Sequence, residues 1–298
     1  MIFRLAHLSD AHIGPVPRPN LGELIGKRAT GYVNWLRKRA AQHDMGVLKL
    51  IVDDIKAQEP DHIAMTGDIV NIGLAAEFVL ARDWLATLGA PESVSFSPGN
   101  HDAYVTDAAR ALGEVFTPWA TGDDGRAGYP YLRRRGGLAI IGVSSGVPTA
   151  PFVASGKLGD EQREKLAALL EETGKEGLTR VVLLHHPPWR GGARALRGLD
   201  DAAAFEALIA RCGAELVLYG HNHKPLIHSL PGPQGAAHIV GAASASARAG
   251  KHMPGASYHL FTVEGQGGAA RITVRRRGLD ASGARIVDLG EEALSTRD

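Results

Sequence analysis

The chain has 298 residues, 44% of them hydrophobic and 22% charged, and its 33 basic and 32 acidic residues give a formal net charge of +1. This balance excludes a globally basic, nucleic-acid-coating protein, and the length suits one large α/β domain or two small ones. The single cysteine, Cys212, excludes an internal disulfide. The N-terminus lacks the apolar core of a secretory signal, and no apolar run approaches the ~20 residues that span a bilayer, so we expect a cytoplasmic protein.

Short aliphatic runs alternate with helical patterns over the first 220 residues. The runs predict strands at 2–8, 62–65, 93–97, 138–143, 180–184 and 215–219. Apolar residues three and four apart predict helices at 45–58, 75–88, 160–172 and 200–212. Strands alternating with helices indicate a layered α/β fold.

The chain changes character after Ala236, where strand-like segments are joined by glycine turns. We expect these segments, at about 236–280, to complete a second sheet rather than to form a separate domain. The sequence therefore predicts a single domain over residues 1–298.

Polar residues of metal-binding types follow the early strands, at the point where each strand ends. They are Asp10 and His12 after the first run, Asp68 after the second, Asn100, His101 and Asp102 after the third, His185 and His186 after the fifth, and His221 and His223 after the sixth. In open α/β sheets the ligand crevice lies beyond the carboxyl ends of the strands. These side chains are therefore expected to meet at one rim.

The ligand types at this rim are mixed oxygen and nitrogen with no thiolate, which suits Mn, Fe, Zn or Co better than a structural zinc or a calcium cage. Two Asp, one Asn and four His are too many for one catalytic ion that keeps an open position. Shared through a bridging carboxylate, they suit two ions, an arrangement that clamps the attacking and leaving oxygens of a displacement at phosphorus. The pattern thus indicates phosphoester hydrolysis.

Four short motifs give the chain a family resemblance. They are D-x-H at Asp10 and His12, G-D at Gly67 and Asp68, G-N-H-D from Gly99 to Asp102, and G-H-x-H from Gly220 to His223, with a strand-end histidine before the last. In this order they resemble the calcineurin-like metallophosphoesterase superfamily, over about residues 1–245. The resemblance implies a two-sheet αββα sandwich with a dinuclear metal site at the C-terminal ends of the strands. Asp102 stands where many members carry Glu.

The resemblance also implies roles for individual residues. One metal would be held by Asp10, His12, Asp68 and His223, and the other by Asp68, Asn100, His185 and His221. A hydroxide bridging the two ions would attack phosphorus, and manganese is the metal expected to support activity. His101 is expected to protonate the leaving oxygen or to stabilise phosphoryl charge, a role suited to an imidazole with a pKa near neutrality.

Two adjacent histidines compete for one ligand position. Strand alternation sends the side chains of His185 and His186 in opposite directions, so both can hardly bind the same ion. The family spacing of ligand, any residue, proline selects His185, and His186 would pack or hydrogen-bond behind it. Eight histidines are expected in core or surface roles, namely His7, His43, His62, His186, His228, His238, His252 and His259.

Two basic regions are candidates for substrate contact. The segment from Lys27 to Arg39 holds five basic residues and no acid, and is either a solvated helix with its aromatics on the core or a surface meeting an anionic substrate or anionic lipid headgroups. The loop after the two histidines carries Arg190, Arg194 and Arg197, any of which could bind a substrate phosphate.

Several functions remain open at this point. The H-H-P-P stretch and compact length resemble bacterial phosphodiesterases acting on cyclic nucleotides and glycerophosphodiesters. An alternative branch cleaves UDP-2,3-diacylglucosamine, a lipid-linked pyrophosphate, and the basic aromatic segment would suit it. A non-enzymatic scaffold with the same fold is a third possibility, which predicts missing ligands. Nucleic acid is not expected as substrate, because no extended basic tract with spaced aromatics is present. The natural substrate and the oligomeric state stay undetermined.

Overall fold

The computed structural model describes residues 2–250 and 254–294, so His252 lies outside the described residues. The strands are β1 (Ile2–Leu8), β2 (His62–Met65), β3 (Val94–Phe96), β4 (Tyr131–Arg135), β5 (Leu138–Gly142), β6 (Thr179–Leu183), β7 (Leu216–Tyr219), β8 (Leu226–Gly232), β9 (Gly235–Gly241), β10 (Ser257–Glu264), β11 (Arg271–Leu279) and β12 (Ile286–Leu294). The α-helices are α1 (Lys27–Asn34), α2 (Ala40–Gln42), α3 (Met45–Ala57), α4 (Ala75–Leu88), α5 (Thr106–Val115), α6 (Asp160–Lys175) and α7 (Ala202–Cys212).

These strands form two six-stranded sheets. The first has the order β12, β11, β10, β1, β2, β3, and the second has the order β4, β5, β6, β7, β9, β8. Strands β1, β2 and β3 run parallel to one another, as do β5, β6, β7 and β9. The parallel strands occupy the part of each sheet that carries the predicted ligands at its C-terminal edge.

Three apolar layers hold the sheets and helices together. Between the sheets lie buried side chains such as Leu5, Ile140, Val181, Leu218 and Phe261. Helices α3, α4 and α5 cover the outer face of the first sheet, and α6 and α7 cover the second. Each fully buried aliphatic or aromatic side chain contributes about 1.5–3 kcal/mol. The predicted αββα sandwich is confirmed.

Local signals place the helices next to the parallel strands. Asp44 caps α3 by accepting hydrogen bonds from the N–H groups of Gly46 and Val47, at 2.7 and 3.3 Å. In α4 the Glu77 carboxylate accepts from the N–H groups of Asn71 and Leu74, at 2.7 and 3.0 Å. Glu77 thereby fixes the loop that follows Asp68 as well as the start of its own helix.

The C-terminal strands differ from the prediction. We expected strands at about 236–280 to complete one second sheet, but β9 pairs with β7 whereas β10 and β11 extend the first sheet from β1. The chain crosses between sheets near Ser244, where the N–H of Ala245 donates to Ser9 O at 2.9 Å. The physical reason is that β1 would otherwise be an open edge, and an antiparallel partner satisfies its backbone groups. Strand β12 was not predicted.

Candidate metal centre

The predicted ligands converge because their strands are parallel neighbours. In the first sheet, Asp10 and His12 follow β1, Asp68 follows β2, and Asn100 follows β3; in the second sheet, His185 follows β6, and His221 and His223 follow β7. The C-terminal ends of both sheets open onto the same rim. All seven side chains therefore lie at one rim.

Five of the seven have unusual backbone conformations. Asp10, His12, Asp68, His221 and His223 have φ angles of 55°, 41°, 55°, 65° and 53°. Residues other than glycine rarely adopt this left-handed region, and the cost is about 1–3 kcal/mol each. Backbone hydrogen bonds maintain it, among them Asp10 N to Gly67 O at 2.9 Å and His12 N to Asp68 O at 3.0 Å. Such concentrated strain is typical of a functional site.

The first cluster gathers around Asp10. His223 Nε2 lies 3.1 Å from Asp10 Oδ1 and 3.3 Å from His12 Nε2. His12 Nε2 is also 3.8 Å from Asp10 Oδ1 and 3.9 Å from Asp68 Oδ2. These atoms match the ligand set expected for one metal.

The second cluster shares Asp68 with the first. His185 Nε2 lies 3.2 Å from Asp68 Oδ2 and 3.3 Å from His221 Nδ1. His221 Nδ1 is in turn 2.9 Å from Asn100 Oδ1. Asp68 therefore stands between the two clusters, where a bridging carboxylate is expected.

The donor set fits two divalent cations. Metal–ligand bonds of about 2.0–2.2 Å place neighbouring ligand atoms on one ion about 3.0–3.5 Å apart, close to the shortest spacings here. The buried Asp10 Oδ1 has no hydrogen-bond partner in the described residues. Burial, reinforced by Arg39, holds the pKa of His12 well below its usual range, and burial does the same for His221. Both rings are therefore neutral, as metal ligands must be.

The adjacent histidines face different surroundings. The Nδ1 of His185 lies 2.6 Å from Thr66 O, so it carries the proton and leaves Nε2 to face Asp68. The Nδ1 of His186 lies 2.8 Å from the Ser145 hydroxyl instead. The structure thus brings His185 into the second cluster and leaves His186 behind it.

Asp102 braces the loops that carry the ligands. Its carboxylate accepts hydrogen bonds from the N–H groups of Asp68, Ile69, Val70 and Gly99, at 2.7, 2.9, 3.2 and 2.8 Å. The β2 and β3 loops are therefore held together by one side chain. Burial, together with the Asp68 charge, raises the pKa of Asp102 to about 7.

His101 lies beside the centre. Its backbone N–H donates to Asp68 Oδ1 at 2.8 Å, and its Nδ1 is hydrogen-bonded to Asn71 O. Burial, followed by the charge of Arg39, lowers the pKa of His101 to about 3. This differs from the near-neutral pKa that the sequence led us to expect, because the ring is enclosed and faces a guanidinium.

The centre opens into a cleft of about 1050 Å³. Basic side chains line it, namely Lys27, Lys38, Arg39, Arg194, Arg197 and Lys224. Arg190 is not among the lining residues and pairs with Glu206, Nε to Oε2 at 2.9 Å. Of the basic segment, Trp35 is buried on the core while Lys27, Lys38 and Arg39 line the cleft, and contact of this segment with an anionic substrate or headgroups stays a prediction.

The structure places His43, which was expected in a core or surface role, in a buried position beside the first cluster. Ligand atoms of His12, His43 and His223 all lie within 4.8 Å of one another. The His43 Nδ1 is 2.8 Å from the hydroxyl of Ser246, which lies beyond β9. No sequence signal could have located His43, because its position depends on a contact between residues 203 positions apart.

Residues 3–225 match the family model of the calcineurin-like phosphoesterases. The match covers most of the chain, so the chain belongs to this family, as its motifs predicted, and the family is one of dinuclear metal enzymes. Among the described residues, no helix has the length and apolar character needed to cross a membrane.

One curated relative is a probable cyclic nucleotide phosphodiesterase of Synechococcus sp., 29% identical over 180 residues. The match covers 59% of this chain and 63% of that protein, so it spans less than two thirds of the relative. A dimetal phosphatase from Danio rerio has a TM-score of 0.63 at 11% identity, with 99% of each chain covered. Purple acid phosphatase PPD1 from yellow lupin has a TM-score of 0.60 at 12% identity, covering 100% of this chain and 54% of that one. At these identities the two structures show the shared fold.

Proposed function

We propose that this protein is a metal-dependent phosphoesterase, and specifically a phosphodiesterase. The observation that supports this most is the convergence of seven oxygen and nitrogen ligands into two clusters that share Asp68. The similarity to a probable cyclic nucleotide phosphodiesterase favours diesters over monoesters. A scaffold with a degraded site predicts missing ligands, whereas all seven are present.

Two divalent ions, from Mn, Fe, Zn and Co, are the proposed cofactors, and manganese is expected to support activity. The ligands are Asp10, His12, Asp68 and His223 for one, and Asp68, Asn100, His185 and His221 for the other. When bound, the two ions would neutralise charge on phosphoryl oxygens and make a coordinated water more acidic. The protein's part is to fix these side chains through strained backbone and the Asp102 hydrogen bonds.

His101 is the proposed catalytic side chain. Its ring is oriented by the Nδ1 hydrogen bond to Asn71 O, which leaves Nε2, 3.0 Å from Arg39 NH1, as the reactive atom. The residue lines the cleft next to both metal clusters. Protonating the leaving oxygen or stabilising phosphoryl charge requires a proton on Nε2, and an anionic substrate would favour it by offsetting the Arg39 charge that, after burial, lowers the pKa of this ring. Arg194 and Arg197, which line the same cleft, are proposed to bind outlying anionic groups of the substrate.

A lipid-linked pyrophosphate such as UDP-2,3-diacylglucosamine is the second candidate substrate. The observation that favours it is an apolar part of the cleft wall, where Phe152 is 86% exposed and Leu226 is 46% exposed. Lys27 holds this wall to α1, since its Nζ donates to Thr149 Oγ1 at 2.6 Å and to Val153 O at 3.2 Å. We propose a cytoplasmic location, with the segment from Lys27 to Arg39 meeting anionic headgroups at a membrane surface.

A hydrolysis panel on manganese-loaded protein tests these proposals. It compares bis(p-nitrophenyl) phosphate, cyclic AMP, a glycerophosphodiester, UDP-2,3-diacylglucosamine and p-nitrophenyl phosphate. We expect higher kcat/KM for a diester than for the monoester, and loss of turnover after chelation. A preference for UDP-2,3-diacylglucosamine would favour the second candidate. No bound metal and no turnover on any substrate would contradict both.

A further inference from the structure

The basic segment ends with a guanidinium next to the metal centre. Arg39 NH2 lies 2.8 Å from each ring nitrogen of His12. Its NH1 lies 3.0 Å from Nε2 and 3.2 Å from Nδ1 of His101. Arg39 also lines the cleft, so the group reaches both the proposed catalytic histidine and a proposed metal ligand from the open side.

The local structure directs this side chain inward. Residues Trp35–Arg39 form a π-helical turn, a rare conformation that is frequent at functional sites. Trp35 anchors the turn in a small apolar cluster with Val16, Ile72, Leu74 and Tyr104. Arg37, two residues before Arg39, is exposed to solvent and does not line the cleft. Two arginines of one turn therefore have different surroundings, which makes Arg37 a matched control.

Arg39 has no carboxylate partner. No acidic group in residues 2–250 and 254–294 lies within the 4.0 Å ion-pair distance of its guanidinium, whereas Arg28 in the same segment pairs with Asp107 at 2.8 Å. Burial lowers the pKa of Arg39, against the raising effect of Asp68, yet an arginine remains charged in proteins. A partly buried cation without a counter-charge favours an anionic ligand.

The two histidines offer this guanidinium one acceptor atom, His101 Nε2, in the working centre. His12 Nδ1 lies 3.3 Å from Val70 O, which assigns it the proton, so its Nε2 is the atom left for a metal. His101 Nδ1 likewise donates to Asn71 O, which leaves His101 Nε2, 3.0 Å from Arg39 NH1, as an acceptor for one N–H. The other four N–H donors of Arg39 need acceptors that the neighbouring rings do not supply.

We infer that Arg39 binds a non-bridging phosphoryl oxygen of the substrate and stabilises negative charge on it. The inference rests on the proposed function, because it takes the phosphoryl group to lie among His12, His101 and Asp68. A guanidinium suits this role since its planar donors match two oxygens of a phosphoryl group. A fixed cation aimed at developing charge accelerates hydrolysis without reorganisation.

The test uses the full chain loaded with manganese, as wild type and as Arg39→Ala, Arg39→Lys and Arg37→Ala. Three quantities are measured: metal content, the Kd of inorganic phosphate by calorimetry, and kcat/KM for bis(p-nitrophenyl) phosphate. We expect Arg39→Ala to keep its metals, to bind phosphate about tenfold more weakly and to lose about 100-fold in kcat/KM. Arg39→Lys should be intermediate, and Arg37→Ala should stay within about twofold of wild type.

Added guanidinium ion gives a further readout, because it can enter the space that Arg39→Ala leaves open to the cleft. It should restore part of the lost kcat/KM in Arg39→Ala and none in Arg37→Ala. Metal loss from Arg39→Ala would assign Arg39 to metal-site architecture and overturn the inference, as would unchanged phosphate affinity. Phosphate binding needs no turnover, so an inactive wild type that binds phosphate through Arg39 would contradict only the proposed function.

Discussion

The two ends of the second sheet differ in whether their buried charges are paired. At the start of β6, the Arg180 guanidinium lies against Glu215, which precedes β7, with NH2 to Oε1 at 2.6 Å and Nε to Oε2 at 3.1 Å. Arg180 NH1 donates to Cys212 O at 2.7 Å. Both side chains are almost fully buried, and each charge is answered within the protein.

The C-terminal ends of the same strands lie at the rim that they share with the first sheet. There Asp10 Oδ1 has no hydrogen-bond partner among the described residues, the Nε2 atoms of His12 and His223 lie 3.3 Å apart, and Arg39 lacks a carboxylate within ion-pair distance. The buried charges are balanced at the N-terminal end of the sheet and unbalanced at its C-terminal end. The first end therefore contributes to stability and the second to chemistry. Substitutions at the two ends should therefore change different measurements.

The largest effect is expected for Asp68→Asn, because Asp68 belongs to both clusters. The amide keeps the shape but removes the charge that bridges two cations, so metal content should fall and kcat/KM should drop about 10³-fold, or about 4 kcal/mol. Metal analysis and kinetics measure both. Asp53→Asn on the surface is the control, and equal loss there would refute the assignment.

Glu215→Ala should produce the reverse pattern. It leaves Arg180 buried without its partner, which costs about 3 kcal/mol of unfolding free energy. Urea denaturation measures the loss, while metal content and kcat/KM of the folded fraction should stay unchanged. The matched control is Glu206→Ala, which removes the partner of the exposed Arg190 and should cost less than about 1 kcal/mol. Similar losses in the two variants would contradict the contrast between the pairs.

Substitutions of the adjacent histidines, His185 and His186, test the C-terminal end of the sheet one residue at a time. His185→Ala should lose one metal and about 100-fold in kcat/KM, because His185 Nε2 faces Asp68 at 3.2 Å. His186→Ala removes the hydrogen bond with Ser145 and a ring whose centroid lies 4.6 Å from that of His221, but no ligand of the two clusters, so its kcat/KM should fall less than about tenfold. Metal content per chain and kcat/KM, measured on the same preparations, decide which histidine is the ligand. A greater metal loss in His186→Ala would reverse the assignment of the ligand.

Features encoded by short stretches of sequence were predictable. The bounds predicted for β1 and α4 coincide with those observed, because alternating and helical apolar spacing is a local signal. The convergence of the seven proposed ligands was predictable from motifs that follow strand ends.

Long-range placement was not predictable from such signals. The strand pattern at about 236–280 does not encode which edge each strand joins, so the division between sheets was missed. The inward turn of Arg39 depends on Trp35 packing against Ile72 and Tyr104, contacts that no local pattern records.

A buried histidine at the N-terminal end of β2 gives the smallest predicted effect, a change in the free energy of unfolding with pH. His62 begins β2, and its Nε2 lies 2.8 Å from the Ser95 hydroxyl. Burial, with a smaller effect of Arg133, lowers its pKa to about 3 in the folded protein, below the unfolded value near 6.5. The contribution of neutral His62 to the free energy of unfolding is therefore complete above pH 6.5. It is lost as the pH falls toward 3, because the unfolded protein takes up a proton at His62 before the folded protein does. Between pH 7.5 and 5.5 this one group should cost the wild type about 1.4 kcal/mol.

His62→Gln retains a donor for Ser95 but does not titrate. Its unfolding free energy should therefore fall by about 1.4 kcal/mol less than that of wild type over the same interval, in urea titrations at pH 7.5 and 5.5. Glu206→Ala keeps every histidine and should show the full wild-type loss. If His62→Gln shows that loss too, His62 is not the source of the acid sensitivity in this range, and the prediction is wrong.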